Sequence, residues 1–350
     1  MEAQTSDRAL AADPTLASLL EHATDDATRI ELLIARARQL QTQQPEVAMT
    51  YALHALELAQ LHSYPKAIAE SKVVLGTAAA ANADFDRAVS QLEDALTSYA
   101  ELGNRAEAIQ VASTLAGLYF KLSRFDKALL HLHNAVSLSE QHGITQPLAA
   151  IHSNIASIYQ ELGQLDLALE HYLKALDIKE QQGKTPVSIA LTANNIASVY
   201  FRLGHYETAL DYTQQALSWL EHEGSEPEIL ATLENMGRIY LSMERPNVAL
   251  EYLSQALSRA YRIGAEYNIA VAIHLIGQAH KAQQDKPTAL SHFAMALAFF
   301  RKLNAHNEAA YVLRAIAECY RTSNNPRRAL RYYKQALELA RTTDATLMEA

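Results

Sequence analysis

The sequence predicts an all-α array of stacked helix pairs, and three observations carry that prediction. Alanine recurs at Ala48, Ala88, Ala128, Ala168, Ala209, Ala249, Ala289 and Ala329, in steps of 40 with a single step of 41. Seven residues after each stands a second alanine: Ala55, Ala95, Ala135, Ala175, Ala216, Ala256, Ala296 and Ala336. A second marker precedes them, Tyr119, Tyr159, Tyr200, Tyr240 and Tyr320, with His280 and Ala79 in the same place. A fixed period of this kind is the signature of a repeat architecture, in which one unit cannot bury its apolar face alone.

The spacing makes each segment a helix. Positions i and i+7 share a helical face, and Leu or Val follows each second alanine. This is helix B of the unit. Helix A precedes it, and three residues before its marker lies a small residue: Gly76, Ala116, Ala156, Ala197, Gly237, Gly277 and Ala317. Small residues in register predict close helix contact, since a larger side chain there overpacks the seam by roughly 1–3 kcal/mol.

Punctuation agrees with this division. Gly103, Gly143, Gly183, Gly224 and Gly264, then Asn304, follow the B helices, where a left-handed residue ends a helix. Pro65, Pro147, Pro186 and Pro227 open A helices, and Pro45, Pro246, Pro287 and Pro326 open B helices. Proline fits there because the first-turn N–H has no helical partner. Eight units result, at 27–62, 64–103, 105–143, 146–183, 186–224, 226–264, 266–304 and 306–342, after a flexible segment 1–26. The final stretch 343–350 reads as a truncated or partial capping helix, as though the natural protein or its ancestor continued.

Composition narrows the function. The chain has 350 residues, too many for one core, which stops growing near ~250–300 residues. Its formal net charge of −9 argues against direct nucleic-acid binding, which needs a basic face. One cysteine, Cys319, makes neither an internal disulfide nor a zinc site, and fits a reducing cytoplasm. The N-terminus lacks the basic start and apolar core of a signal peptide, and no run of about 18 apolar residues predicts a membrane span. The 14 histidines are scattered: His131 and His133 point to different faces, and His152 and His171 lack acidic neighbours at metal-site spacing. They read as structural or surface residues. No phosphate loop, paired-carboxylate motif or nucleophile motif is present, so the prediction is a binding protein without cofactor rather than an enzyme.

The pattern small-x-x-Tyr, Leu-Gly, then two alanines seven apart resembles the tetratricopeptide repeat. It is clearest in "NIASIYQELGQLDLALEHYLKAL" and "NIASVYFRLGHYETALDYTQQAL". The 40-residue period looks like the long-helix variety of kinesin light chains, cell-polarity scaffolds and bacterial signalling proteins. The opening "DDATRIELLIARARQLQTQQPEVAMTYALHALELAQLH" resembles the first repeat of bacterial sensors. Units one, two and seven depart most, with Ala79 and His280 at the marker and Leu-Gly lost. The resemblance implies a right-handed α-α superhelical solenoid whose A helices line a concave groove, and a protein or peptide partner.

Asn154, Asn195 and Asn235 each lie five residues before a marker tyrosine. In related scaffolds asparagine at this place holds the backbone of an extended peptide, and one amide both donates and accepts. The alternative is an ordinary polar helix face, though asparagine is less favourable there than alanine by up to ~0.7 kcal/mol. Ser157, Ser198 and Arg238 lie three residues further on the same face, and Arg202 two after Tyr200, placed to read side chains or a carboxylate or simply solvated. The Lys and Asn set of the chaperone-tail clamp is missing. Charge is uneven: residues 1–100 carry 14 acids and 7 bases, net −7, and residues 301–350 carry 5 acids and 9 bases, net +4. Arg314, Arg321, Arg327, Arg328 and Arg331, with Lys334, form a basic patch for an acidic partner or for the acidic end of a second copy. A structural or oligomerisation module, associating through its ends or convex face, is therefore the alternative to a groove-binding scaffold.

Overall fold

A computed structural model of the chain describes residues 20, 23 and 25–349, with side chains described as far as Arg341. Most of segment 1–26 therefore lies outside the described residues. The chain forms two compact units, one ending at His171 and the other beginning at Tyr172. Among the described residues all regular structure is helical, in eight A–B pairs.

The N-terminal unit holds α1 (Asp26–Leu40) and α2 (Pro45–Leu61), α3 (Pro65–Ala81) and α4 (Phe85–Glu101), α5 (Arg105–Lys121) and α6 (Phe125–His142), then α7 (Leu148–Glu161) and the start of α8 (Leu165–Gln181). The C-terminal unit takes the rest of α8, then α9 (Pro186–Arg202) and α10 (Tyr206–Glu223), α11 (Glu226–Ser242) and α12 (Pro246–Ile263), α13 (Glu266–Ala282) and α14 (Lys286–Lys302), and α15 (His306–Thr322) and α16 (Pro326–Glu349). In the C-terminal unit the A helices α9, α11, α13 and α15 also touch one another in series. Their free faces therefore form a shared wall.

All sixteen register alanines are buried, none more than 9% exposed. The small residues of the A helices sit where expected. A Cβ added at Gly76 would come 2.7 Å from Leu92 Cγ, one at Gly237 2.4 Å from Leu253 Cδ2, and one at Gly277 2.7 Å from Phe293 Cδ1. Each partner stands sixteen residues later, on helix B of the same pair. The marker position has its own partner twelve residues later. Tyr119 stacks on His131, Tyr200 on Tyr212, Tyr240 on Tyr252, His280 on His292 and Tyr320 on Tyr332, with ring centroids 5.2–5.7 Å apart, while Tyr159 meets His171 in a tilted contact. The marker was legible in the sequence, but its partner ring was not.

Helix starts follow their chemistry. Asp25, Asp84, Thr185 and Asp285 accept the backbone N–H three residues on, satisfying first-turn donors. Pro147 differs slightly, standing at the N-cap of α7.

Two expectations need correction. Gly224 is extended, with φ −80°, unlike the left-handed Gly103, Gly143, Gly183 and Gly264. Only Gly224 and Ser225 join α10 to α11, and both run extended into the next helix. Glycine is still required, because a Cβ there would lie 2.5 Å from the Leu220 carbonyl oxygen. Residues 343–349 continue α16 without a break instead of opening a separate capping helix. The stretch from Thr342 to Glu349 holds no glycine or proline to stop the helix.

Candidate ligand-binding cleft

The C-terminal unit places two adjacent clefts on the wall of A helices. The first, of about 350 Å³, lies between α9 and α11 and is lined by Ser198, Phe201, Arg202, Glu234, Asn235 and Arg238. The second, of about 380 Å³, is lined from α11, α13, α14 and α15. Arg238 borders both. Four residues singled out in the sequence, Ser198, Arg202, Asn235 and Arg238, thus meet on one cleft. Asn195 is exposed one turn before Ser198 but does not line it. Asn154, exposed, and Ser157, half-buried, occupy the corresponding places on α7 in the N-terminal unit.

The basic patch divides. Arg314 lines the second cleft, its guanidinium 5.5 Å from the Tyr311 ring centre. Arg321, Arg327, Arg328 and Arg331 are exposed and line neither cleft. Arg328 lies over the Tyr320 ring. Proximity in sequence grouped Arg314 with the wrong neighbours, because its place on α15 turns it toward the A-helix wall.

Several residues in or behind the clefts escaped the sequence reading. Asn194, Glu234, His274 and Arg314 recur at 40-residue steps, next to the asparagine position. The first three sit mostly inside. Asn194 donates to Thr232 Oγ1 at 2.7 Å, and Thr232 donates to the Glu228 carbonyl at 2.8 Å. Glu234 accepts from Asn268 Nδ2 at 3.2 Å. Burial pushes the Glu234 carboxyl up to about 7, against the pull of Asn268 and Arg238. His274 pairs with Gln278 at 2.8 Å, and burial, helped by Arg238 and Lys281, lowers its pKa to about 4. This imidazole is neutral at pH 7. A polar column at an otherwise buried register was the signal available.

The cleft carries its own ion pairs. Lys281 pairs with Glu318, and the Tyr267 hydroxyl donates to Glu308 at 2.9 Å. Among the described residues Arg238 and Arg314 make neither an ion pair nor a side-chain hydrogen bond. Tyr267 and Tyr311 are 47% and 59% exposed, so large apolar rings face solvent beside these cations.

Elsewhere, the N-terminal unit gathers three histidines that looked scattered. His152 Nδ1 lies 3.0 Å from His171 Nδ1, and the His133 and His171 ring centres are 6.2 Å apart. Among the described residues no group of three or more His, Cys, Asp or Glu side chains is arranged to hold a metal. Cys319 is buried, as a small apolar residue would be, and burial raises its thiol pKa. No helix among the described residues is long and apolar enough to cross a membrane.

Solved structures resemble this one closely in fold. The apo form of the quorum sensor NprR from B. thuringiensis aligns with a TM-score of 0.70 at 16% identity, covering 93% of this chain and 91% of its own. Aspartyl phosphate phosphatase F from Bacillus subtilis gives 0.66 at 16% identity, over 93% of this chain and 82% of its own. A Rap protein complexed with competence and sporulation factor gives 0.59 at 14% identity, over 99% of both. Identity at this level shows the fold alone. No curated protein sequence matches the chain. The family model for the tetratricopeptide repeat matches residues 107–181, 147–220, 188–262 and 268–342. These matches span more than half of the sequence, and the chain belongs to the tetratricopeptide repeat family.

Proposed function

We propose that the chain is a cytoplasmic sensor or scaffold module of a signalling system that binds an extended peptide or protein segment on its A-helix wall. It binds and does not catalyse, and it needs no cofactor, membrane or direct nucleic-acid contact. One observation carries the reading: Ser198, Arg202, Asn235 and Arg238, from two successive A helices, meet on one cleft above a frame of buried alanine and leucine. Asn195 and Asn235 hold the backbone of the bound segment, and Arg202 and Arg238 read its polar or acidic side chains. Asn154 and Ser157 offer the same contacts on the N-terminal unit. Support comes from the similar structures, one of a quorum sensor and one of a Rap protein complexed with competence and sporulation factor.

The test is retention of a random, labelled nonapeptide pool on the immobilised full chain. Asn195→Ala with Asn235→Ala should lower retention at least tenfold, about 1.4 kcal/mol, with the melting temperature nearly unchanged. Equal retention by wild type and variant would sink the asparagine ladder. Asn154→Ala alone tests the N-terminal unit separately. The alternative, association of copies through the ends or outer face, is favoured by exposed Arg321, Arg327, Arg328 and Arg331. It would show as salt-dependent self-association indifferent to the asparagine substitutions.

A further inference from the structure

We infer that the cleft between α11 and α15 is a docking site for an acidic peptide segment that carries an apolar side chain beside its carboxylates. This deepens the peptide-binding reading and rests on it. The chemistry starts from the charge left over in the cleft. Lys281 is taken by Glu318, and Glu308 is engaged by the Tyr267 hydroxyl. Arg238, on α11, and Arg314, on α15, form no ion pair among the described residues, though Arg238 pulls on the buried Glu234 carboxyl, and α13 lies between these helices. A guanidinium presents a planar fork of donors that matches a carboxylate. Stacking over Tyr311 occupies a face of the Arg314 guanidinium and leaves the donors at its edge available.

The sign is local. The whole chain is acidic, with net charge −9, while this cleft has three cations against two carboxylates. The other titratable groups facing it do not reverse the balance. His274 is neutral at pH 7, and Glu234, beside Arg238 in the adjoining cleft, is held partly protonated by burial. The same lining carries apolar surface beside the His274–Gln278 pair: Val271 and Phe300 are buried, and Tyr267 and Tyr311 offer open ring surface. Free guanidinium edges beside open aromatic rings are the complement of carboxylates beside an apolar side chain. A volume of about 380 Å³ accommodates a few residues of such a segment.

Three labelled nonapeptide pools test this on the full chain. Each is degenerate except for its centre. The first carries Glu–aromatic–Glu with an amidated C-terminus, the second Gln–aromatic–Gln amidated, and the third Gln–aromatic–Gln with a free C-terminal carboxylate. Wild type should retain the first pool at least tenfold over the second, and Arg238→Ala with Arg314→Ala should erase that preference. Arg327→Ala with Arg331→Ala removes equal charge outside the cleft and should leave the preference intact. Equal retention of the first two pools by wild type would overturn the acidic preference while leaving peptide binding standing. Retention of neither would overturn both readings. A third pool retained as well as the first would place a chain terminus, not acidic side chains, in the cleft. Loss of preference in the Arg327/Arg331 control would assign it to bulk charge.

Discussion

In the N-terminal unit, Arg38 reaches Glu70 at 3.5 Å, and Lys66 lies within 4 Å of both Glu70 and Glu107. Arg38, Glu70 and Glu107 border a cleft of about 530 Å³, where Thr77 also donates to Gln41 at 2.9 Å. In the C-terminal unit, Arg238 and Arg314 border smaller clefts and form no ion pair among the described residues. The same helix pair thus builds one cleft whose charges pair with each other and others bordered by arginines outside any ion pair among the described residues. Exposed pairs such as those of Arg38 and Lys66 contribute only about 0–1 kcal/mol each to stability. Their larger effect is to pair Arg38, the cation lining that cleft.

The contrast extends to buried charge, and the strongest way to break it is Glu234. The C-terminal unit buries this carboxyl, only 8% exposed, whereas the buried polar side chains of the N-terminal unit are Ser71, Ser139 and His152. Its pKa is raised from 4.5 to about 7, so the folded state prefers the proton. That preference is fully present below pH 4.5 and is lost as pH rises through 7. Glu234→Gln should therefore match wild type near pH 4 and exceed it at pH 8 by up to about 3 kcal/mol, at 1.36 kcal/mol per unit. Urea denaturation at both pH values checks this; a constant difference between the two would refute the burial argument.

Packing offers the next comparison. Gly237→Ala, on the C-terminal seam against Leu253, should cost roughly 1–3 kcal/mol. Gly117→Ala, exposed on α5 with nothing within 4 Å of its added Cβ, should gain about 0.5–1 kcal/mol. Opposite signs in thermal melts are the expected result, and a gain at Gly237 would mean the seam is loose. The smallest effect concerns turns. Ala83 takes φ 61° in the N-terminal unit, where the C-terminal unit has Gly204 at φ 81°. Ala83→Gly relieves a left-handed alanine but loosens the unfolded chain, for a net gain of about 0.5 kcal/mol. No gain in the denaturation midpoint would show that its neighbours already accommodate the alanine.

The frame was legible in the sequence because burial repeats. Each register alanine must be small in every unit, so the period carries through all eight. Ring partners were harder to see, since Tyr212, Tyr252, His131 and His292 differ in type while sharing one place. The cleft was only partly legible for a further reason. Its wall joins side chains up to 80 residues apart, such as Arg238, Val271 and Glu318. Asn194 and Asn195 show the limit well. Adjacent in sequence, one is buried in a hydrogen bond to Thr232 and the other is exposed.

That neighbouring pair points to how such a chain changes its preferences over time. The sixteen register alanines stand on the B helices, while Asn195, Arg238 and Arg314 stand on the A helices, beside buried frame positions such as Asn194. On the proposed reading, substitutions at Asn195, Arg238 or Arg314 alter what is recognised while the alanine seams stay untouched. Recognition and architecture are written in interleaved but separate alphabets, so one can drift while the other is held fixed.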